Sequence, residues 1–179
     1  MTKNVRTLLL MLASLALCSS SFVPLLRLPG IMQLNTSLFE WINHFYWPAL
    51  ANLTAPIEQP ADLFGILFVL ILLFFKRYDL ALCILIAIAI EIVYVTWMKD
   101  LIAIAHPFIV LNGINVAYYP GDFSFPSGHA TGAFAVFSTW CFRDRKNYFP
   151  LLCFAALIAF SRVYIGVHRG TSGYTIHWT

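Results

Sequence analysis

The stretch LALCILIAIAIEIVYVTWM, residues 80–98, decides the class of fold to which this chain belongs. A helix that crosses a bilayer needs about 20 mostly apolar residues, and this run matches that length with one ionisable side chain, Glu91. The run therefore predicts a transmembrane helix. Ionisable groups inside a membrane are costly and often functional, so Glu91 is either an inward-facing structural partner or a group with a proton or substrate role.

The composition of the whole chain favours a membrane location. The 179 residues are 60% hydrophobic and 11% charged, whereas a soluble domain carries about 25% charged residues. The net charge of +3 is small and the basic residues are scattered, so no nucleic-acid partner is expected. The four cysteines lie in apolar runs without metal-type spacing and are interpreted as small buried side chains. We predict that residues 1–179 form a single membrane domain.

Five apolar runs predict an all-α, polytopic membrane helix bundle with about five transmembrane helices. The runs are approximately residues 8–26, 61–75, 80–98, 127–142 and 148–167. The first run follows Lys3 and Arg6, so a cleaved signal peptide is the alternative to an uncleaved helix. Between the first two runs, the polar and aromatic stretch 27–60 predicts an external loop with a short interfacial helix around residues 38–47.

Basic residues predict the orientation of this bundle. They cluster at the N-terminus, between the second and third helices, and between the fourth and fifth helices, at Lys3, Arg6, Lys76, Arg77, Arg143, Arg145 and Lys146. In a chain that weaves back and forth these sites share one side, which the positive-inside rule makes the cytoplasm. We therefore predict an integral protein of the cell (inner) membrane with a cytoplasmic N-terminus. On the outer side, Lys99, Arg162 and Arg169 each accompany a histidine.

Three outer segments carry donors suited to a phosphate: KDLIAIAHP (99–107), PSGH (126–129) and SRVYIGVH (161–168). Each lies at the outer end of a predicted helix, so the weaving chain brings them to one membrane face. PSGH is expected to open a helix, whose first backbone N–H groups form a natural phosphate site. Lys99 and His106 are seven residues apart, which places them on one face if the helix continues between them.

The third segment and the PSGH histidine add chemistry to this pocket. Arg162 offers a planar fork of donors for phosphate oxygens, and Gly128 lets the backbone approach a ligand closely. His129 and His168 are candidates for the proton donor and the nucleophile. On a straight helix Arg162 and His168 would point about 120° apart, so both reach one site only if the helix bends or the substrate lies across its end.

With these residues in view, the chain resembles the type 2 phosphatidic acid phosphatase superfamily, which includes the vanadium haloperoxidases. The family pattern is K-x6-R-P, then P-S-G-H, then S-R-x5-H-x3-D, and residues 63–175 carry it here. The resemblance implies that His168 is a nucleophile forming a phosphohistidine and that His129 is the general acid. It assigns phosphate binding to Lys99, Ser127, Gly128 and Arg162, with His106 at the remaining position of the first motif, and it implies no metal or other cofactor.

The chain departs from that pattern in three places. His106 stands where the family has arginine, and Ser172 stands where the family has the aspartate that orients the nucleophilic histidine. On the predicted outer side, Asp100 and Asp122 are the carboxylates available near the motifs. The family has six core helices, and the residues after the third motif are too few for the sixth, so we expect a chain shortened at its C-terminus.

Two functions of different class follow from these residues. The first is an integral membrane phosphatase acting on a lipid phosphate or diphosphate, of the phosphatidic acid, phosphatidylglycerol phosphate or polyprenyl diphosphate class. The second is a catalytically impaired family member that binds lipid phosphate without turnover, suggested by Ser172, His106 and the missing helix. A transport or scaffold protein with an incidental motif is a third possibility. The expected partners are therefore the membrane and a phospholipid or polyprenyl phosphate.

Overall fold

The computed structural model describes residues 28–54, 61–143 and 148–168, and within them every regular element is a helix. The helices are α1 Pro29–His44, α2 Pro48–Thr54, α3 Ala61–Phe74, α4 Tyr78–Ile102, α5 Pro107–Val110, α6 Gly128–Arg143 and α7 Tyr148–Tyr164. The predicted all-α class is confirmed. The predicted first span, residues 8–26, lies outside the described residues.

Helix α4 contains the apolar run of residues 80–98. It extends over 25 residues, and among the described helices it is the one that is both long and apolar enough to cross a membrane. The apolar parts of α3 and α7, Gly65–Phe74 and Phe149–Tyr164, are shorter. Glu91 is buried on the inward face of α4, which places its carboxyl group inside the bundle rather than against lipid.

The centre of the bundle is an apolar cluster between α3, α4 and α6. Helix α4 packs against both α3 and α6, and α6 also packs against α7. The buried side chains of this apolar cluster are Val69, Leu72, Leu80, Ala81, Ile84, Ile88 and Val136. The rings of Phe68, Phe137 and Trp140 pack around it. Close packing of these side chains, and not any polar contact among them, holds the three helices together.

Helix α1 begins earlier than the predicted interfacial helix. Pro29 occupies its first turn, where a fixed φ and a missing N–H favour helix initiation, so the helix starts nine residues before residue 38. Its exposed side carries large apolar residues at heptad spacing: Ile31, Leu34, Leu38, Trp41 and Phe45. The opposite side buries Phe39 and Asn43 against the protein. This division of faces is typical of a helix that lies in a membrane interface.

Asn43 and Tyr164 attach α1 to the C-terminal end of α7. Asn43 Nδ2 donates to the Asn115 carbonyl at 2.8 Å, and the Asn115 N–H donates back to Asn43 Oδ1 at 2.9 Å. The Tyr164 hydroxyl accepts from the Trp47 N–H at 2.8 Å and donates to the Phe45 carbonyl at 3.1 Å. These bonds hold the loop around residue 115 next to the C-terminal turn of α7.

Two residues in the left-handed region of backbone conformation follow the ends of α4 and α7. Ala103, at φ 48°, ends α4, and its N–H donates to the Lys99 carbonyl at 2.8 Å. Gly166, at φ 80°, follows the end of α7, and a Cβ there would lie 2.2 Å from the Asn115 carbonyl oxygen. Only glycine fits that approach. The predicted last helix therefore stops at Tyr164 instead of residue 167, and the chain reverses before His168.

Candidate active site

Hydrogen bonds join the first and third predicted segments to each other and to Ser124, two residues before PSGH. The Ser124 N–H donates to the Ile104 carbonyl at 2.8 Å, which joins the loop before PSGH to the end of α4. His168 Nδ1 donates to the Ser124 carbonyl at 2.6 Å. His106 Nδ1 donates to the Val167 carbonyl at 2.5 Å, which joins the first segment to the third. The convergence predicted from the weaving topology is present in the structure.

His168 is buried, with 7% of its surface exposed. Its Nδ1–H faces the Ser124 carbonyl, and this bond fixes the tautomer that leaves the lone pair on Nε2. Burial, aided by the nearby positive charge of His106, lowers the pKa of His168 from 6.5 to about 3. The ring is therefore neutral near pH 7, which is the state that a nucleophilic nitrogen requires.

Arg162 lies directly beside His168 although the two are six residues apart. Because α7 ends between them, the chain folds back, and the His168 N–H donates to the Arg162 carbonyl at 3.1 Å. The Arg162 side chain is fully buried. The 120° divergence expected of a straight helix does not apply to this pair, because α7 ends before His168. The hydrogen bond brings the backbones of the two residues together.

His106 is fully buried and has an acceptor at each ring nitrogen. Nδ1 faces the Val167 carbonyl, and Nε2 lies 3.3 Å from Asp122 Oδ1. An imidazolium ring donates both bonds at once, so the surroundings of His106 suit a cation. Phe108 stacks on the ring with centroids 5.2 Å apart, and the His168 ring lies 5.3 Å away. His106 therefore stands where the related pattern has arginine, with a hydrogen-bond partner at each ring nitrogen.

Lys99 lies near His106, but not on the face of one continuous helix as predicted. Helix α4 ends at Ile102, so Lys99 and His106 do not share the face of one continuous helix. They meet instead through Asp122, whose carboxylate forms an ion pair with Lys99 Nζ and bonds to His106 Nε2. The left-handed turn at Ala103 makes this possible by redirecting the chain after α4.

Asp122 is a residue of this cluster whose contacts the sequence does not predict. Its carboxylate contacts Lys99 and His106 and not His168, whose Nδ1–H donates to the Ser124 carbonyl. Partial burial alone would raise the pKa of Asp122, but the hydrogen bonds and charges of His106 and Lys99 outweigh it and hold that pKa far below its usual range. Asp122 is thus an anion at every relevant pH.

The PSGH segment forms the start of α6. The Ser127 hydroxyl lies 3.5 Å from the Ala130 N–H, in the N-cap position, and the Ser127 carbonyl accepts from the Thr131 N–H at 2.9 Å. Gly128 begins the helix, and a Cβ there would lie 3.8 Å from Val95 Cγ1 on α4. His129 follows in the first turn and is half-buried. The helix opening predicted for PSGH is present, with the Ser127 side chain used as its cap.

Comparison with known proteins agrees with this geometry. The sequence pattern of the PAP2 superfamily matches residues 80–171, a range that contains all three segments. The chain belongs to the PAP2 superfamily. Ser172 and the residues after it lie outside both this match and the described residues, so the predicted C-terminal shortening stays a prediction.

Two curated relatives carry diphosphatase names. The chain is 34% identical to the putative undecaprenyl-diphosphatase YbjG of Escherichia coli over 142 residues, covering 76% of this chain and 72% of that protein. It is 40% identical to the undecaprenyl-diphosphatase BcrC of Bacillus subtilis over 62 residues, covering 35% of this chain and 32% of that protein. The second match thus spans about a third of the relative.

Two solved structures share the fold. Aquifex aeolicus LpxE superposes with a TM-score of 0.67 at 28% identity, covering 76% of this chain and 83% of that one. A transmembrane PAP2-type phosphatidylglycerolphosphate phosphatase from Bacillus subtilis superposes with a TM-score of 0.70 at 20% identity, covering 88% and 84%. The second likeness concerns the fold alone. These matches agree with the predicted all-helical fold.

Proposed function

We propose that this PAP2 protein is a membrane hydrolase that removes phosphate from a lipid phosphate or diphosphate through a phosphohistidine formed at His168. One observation carries the proposal: His168 is held neutral, with Nδ1–H on the Ser124 carbonyl, beside a cluster of cationic groups. Nε2 is then the atom available to attack phosphorus. Membership of a superfamily that includes lipid phosphatases supports the same reaction class.

The proposed reaction has two steps. In the first, His168 Nε2 attacks the terminal phosphorus and the bond from that phosphorus to the leaving oxygen breaks, and His129 donates a proton to that oxygen. The leaving oxygen is the bridging oxygen of a diphosphate or the ester oxygen of a monophosphate. Lys99, His106 and Arg162, with the opening N–H groups of α6 at Ser127 and Gly128, stabilise the charge on the transferring group. In the second, water attacks the phosphorus and gives a proton to His129, while the bond from phosphorus to His168 Nε2 breaks, which releases inorganic phosphate and restores the neutral ring.

The Ser124 carbonyl takes over the orienting task that the resemblance gives to an aspartate at position 172. Either group accepts the Nδ1–H of His168 and so fixes the tautomer. A carbonyl carries a partial charge where a carboxylate carries a full one, so it stabilises the developing imidazolium less. The departure at Ser172 therefore leaves the nucleophile oriented and is expected to lower its rate rather than remove its activity.

Polyprenyl diphosphates are the substrate class we favour within this reaction. The undecaprenyl-diphosphatase names of the two curated relatives support it. The apolar outer faces of α1 and α4 offer surface for a long lipid chain near the site. We place the site on the outer, periplasmic face of the inner membrane, because the positive-inside rule sets the opposite ends of the helices in the cytoplasm.

A second candidate function is phosphate-lipid binding without turnover. The observation that favours it is the pairing of Asp122 with Lys99 and His106, since these cations are then occupied by the protein's own carboxylate. In that case the site would hold lipid headgroups weakly and transfer nothing. Phosphatidic acid and phosphatidylglycerol phosphate remain ligands to test beside the diphosphates under either function.

Phosphate release by the purified protein tests both candidates. In detergent, wild type and His168→Ala are incubated with undecaprenyl diphosphate, phosphatidic acid or phosphatidylglycerol phosphate. We expect wild type to release phosphate and His168→Ala to lose at least about a thousandfold in rate, as the loss of a nucleophile does. His44→Ala, at an exposed histidine on α1, is the matched control. Equal release from wild type and His168→Ala would overturn the mechanism, and lipid binding without release would favour the second candidate.

A further inference from the structure

Asp122 occupies the contacts that a substrate phosphate needs. Its carboxylate pairs with Lys99 Nζ through one oxygen and lies 3.3 Å from His106 Nε2 through the other. It stands in the loop between α5 and α6, and 54% of its side chain is exposed, against 14% for Lys99 and none for His106. Asp122 therefore lies on the solvent side of both cations.

Asp122 and a phosphate cannot contact the buried ring of His106 at the same time. Its Nδ1–H is bound to the Val167 carbonyl, so Nε2–H is the ring donor that remains for a ligand. Asp122 takes that donor. A phosphate oxygen and an aspartate oxygen cannot both lie along one N–H direction, so a phosphate reaches His106 only after the carboxylate leaves.

Asp122 is able to leave without disturbing the nucleophile. The neighbouring Ser124 is anchored independently, by its N–H on the Ile104 carbonyl at 2.8 Å. The Ser124 carbonyl continues to accept from His168 whatever rotamer Asp122 adopts. Because 54% of the Asp122 side chain is exposed, its carboxylate borders solvent and can rotate into it.

We propose that Asp122 is a specificity-determining residue, a resident anion that the substrate displaces from Lys99 and His106. The proposal rests on the proposed function and deepens it. The free energy needed to displace Asp122 is the same for every phosphate ligand, but a diphosphate offsets it with the charge of a second phosphoryl group. Inorganic phosphate and phosphate monoesters carry one phosphoryl group each. Asp122 thus favours diphosphate substrates and weakens retention of the phosphate product.

A carboxylate that only positioned Lys99 and His106 would make the same contacts. The two roles predict opposite effects of removing Asp122 on the affinity for phosphate. A positioning carboxylate improves the binding of every ligand, so its removal weakens phosphate binding. A resident anion competes with the ligand, so its removal strengthens phosphate binding. Asp122→Asn separates them, because asparagine keeps the size and an acceptor oxygen while it removes the charge.

The test measures binding of inorganic phosphate by titration calorimetry, and kcat/KM for undecaprenyl diphosphate and undecaprenyl monophosphate, in wild type and Asp122→Asn. We expect Asp122→Asn to bind inorganic phosphate about tenfold more tightly, as loss of a competing, partly exposed charge pair allows. The ratio of kcat/KM for diphosphate over monophosphate should fall by a similar factor. Asp100→Asn, which removes an exposed charge next to Lys99, should change both quantities less than twofold.

Weaker or unchanged phosphate binding in Asp122→Asn, with normal thermal unfolding, would overturn the proposal. Asp122→Ala provides a second variant without the acceptor oxygen and should shift binding in the same direction. Failure of the proposed function is a different result: wild type would then hydrolyse none of the lipids. The calorimetric comparison would still report whether Asp122 competes with phosphate.

Discussion

The apolar cluster between α3, α4 and α6 differs from the candidate active site in the interactions that hold it together. The apolar cluster consists of side chains such as Ile84 and Val136 whose contribution depends on volume and close packing. The site consists of loops whose backbone carbonyls accept hydrogen bonds from two histidines. Stability and catalytic geometry are therefore separable in this protein, and substitutions should affect one without the other.

Among substitutions outside the proposed catalytic and phosphate-binding residues, the largest effect on the site is expected from Gly166→Ala. The new Cβ would lie 2.2 Å from the Asn115 carbonyl oxygen, at φ 80°, so the turn that returns His168 to Arg162 must shift. A misplacement of about 1 Å at a reacting group costs roughly a hundredfold in rate. We expect a loss of that order in kcat/KM, measured as phosphate release and corrected for the folded fraction.

Two other glycines serve as matched controls for that substitution. Gly113 also has a positive φ of 73° but open space around it, so Gly113→Ala measures backbone strain without the clash. Gly121→Ala tests an open position without positive φ. If Gly113→Ala lowered the rate as much as Gly166→Ala, strain in general and not the contact with Asn115 would control the site.

Ile84→Ala should have the opposite profile. Ile84 is fully buried in the apolar cluster, and truncating such a side chain costs about 2–5 kcal/mol of stability. Because the site is held by its own hydrogen bonds, kcat/KM per folded molecule should stay within about threefold of wild type. Thermal unfolding and phosphate release on the same preparation measure the two quantities.

Ile86→Ala is the control for packing, since Ile86 lies on the same helix with 41% of its surface exposed. Its unfolding temperature should change far less than that of Ile84→Ala. If fully folded Ile84→Ala lost much of its activity, packing in the apolar cluster would control the geometry of the site. Stability and catalytic geometry would then not be separable.

A dependence of stability on pH that originates at His168 is also expected. Its pKa is about 3 in the folded protein and 6.5 ordinarily, so below pH 6.5 the unfolded chain binds a proton that the folded chain does not. The free energy of unfolding therefore falls as the pH drops from 6.5 toward 3, by at most about 1.4 kcal/mol per pH unit. His168→Asn should flatten this slope.

Thermal unfolding between pH 7.5 and 4.5 measures that slope. His44→Asn, at an exposed histidine, should leave it as in wild type. An identical slope in wild type and His168→Asn would mean that burial does not keep His168 neutral. The assignment of His168 as a ready nucleophile near pH 7 would then lose its basis.

The helices could be predicted from sequence because long apolar runs dictate them. The run at residues 80–98 became α4, and PSGH became the opening of α6. The convergence of the three segments also followed from topology alone. These features depend on composition and on local signals that one sequence displays directly.

The details of the site could not be predicted because they depend on contacts between distant backbone groups. No sequence pattern around Ser124 predicts that its carbonyl accepts a hydrogen bond from His168, which lies 44 residues later in the chain. The end of α7 at Tyr164 depends on Gly166 meeting Asn115, which no periodicity shows. Asp122 was visible as an outer carboxylate, but its partners are set by the turn after α4.

The bonds that align the two histidines end on main-chain oxygens, those of Ser124 and Val167. Every residue type supplies such an oxygen. Mutations at positions 124 and 167 can therefore accumulate during evolution without removing an acceptor, provided that the loop keeps its path. The path of the backbone, and not the identity of these side chains, positions the two acceptors. Alanine substitutions at positions 124 and 167 would therefore keep both acceptors, and an alanine scan would not detect their contribution to the site.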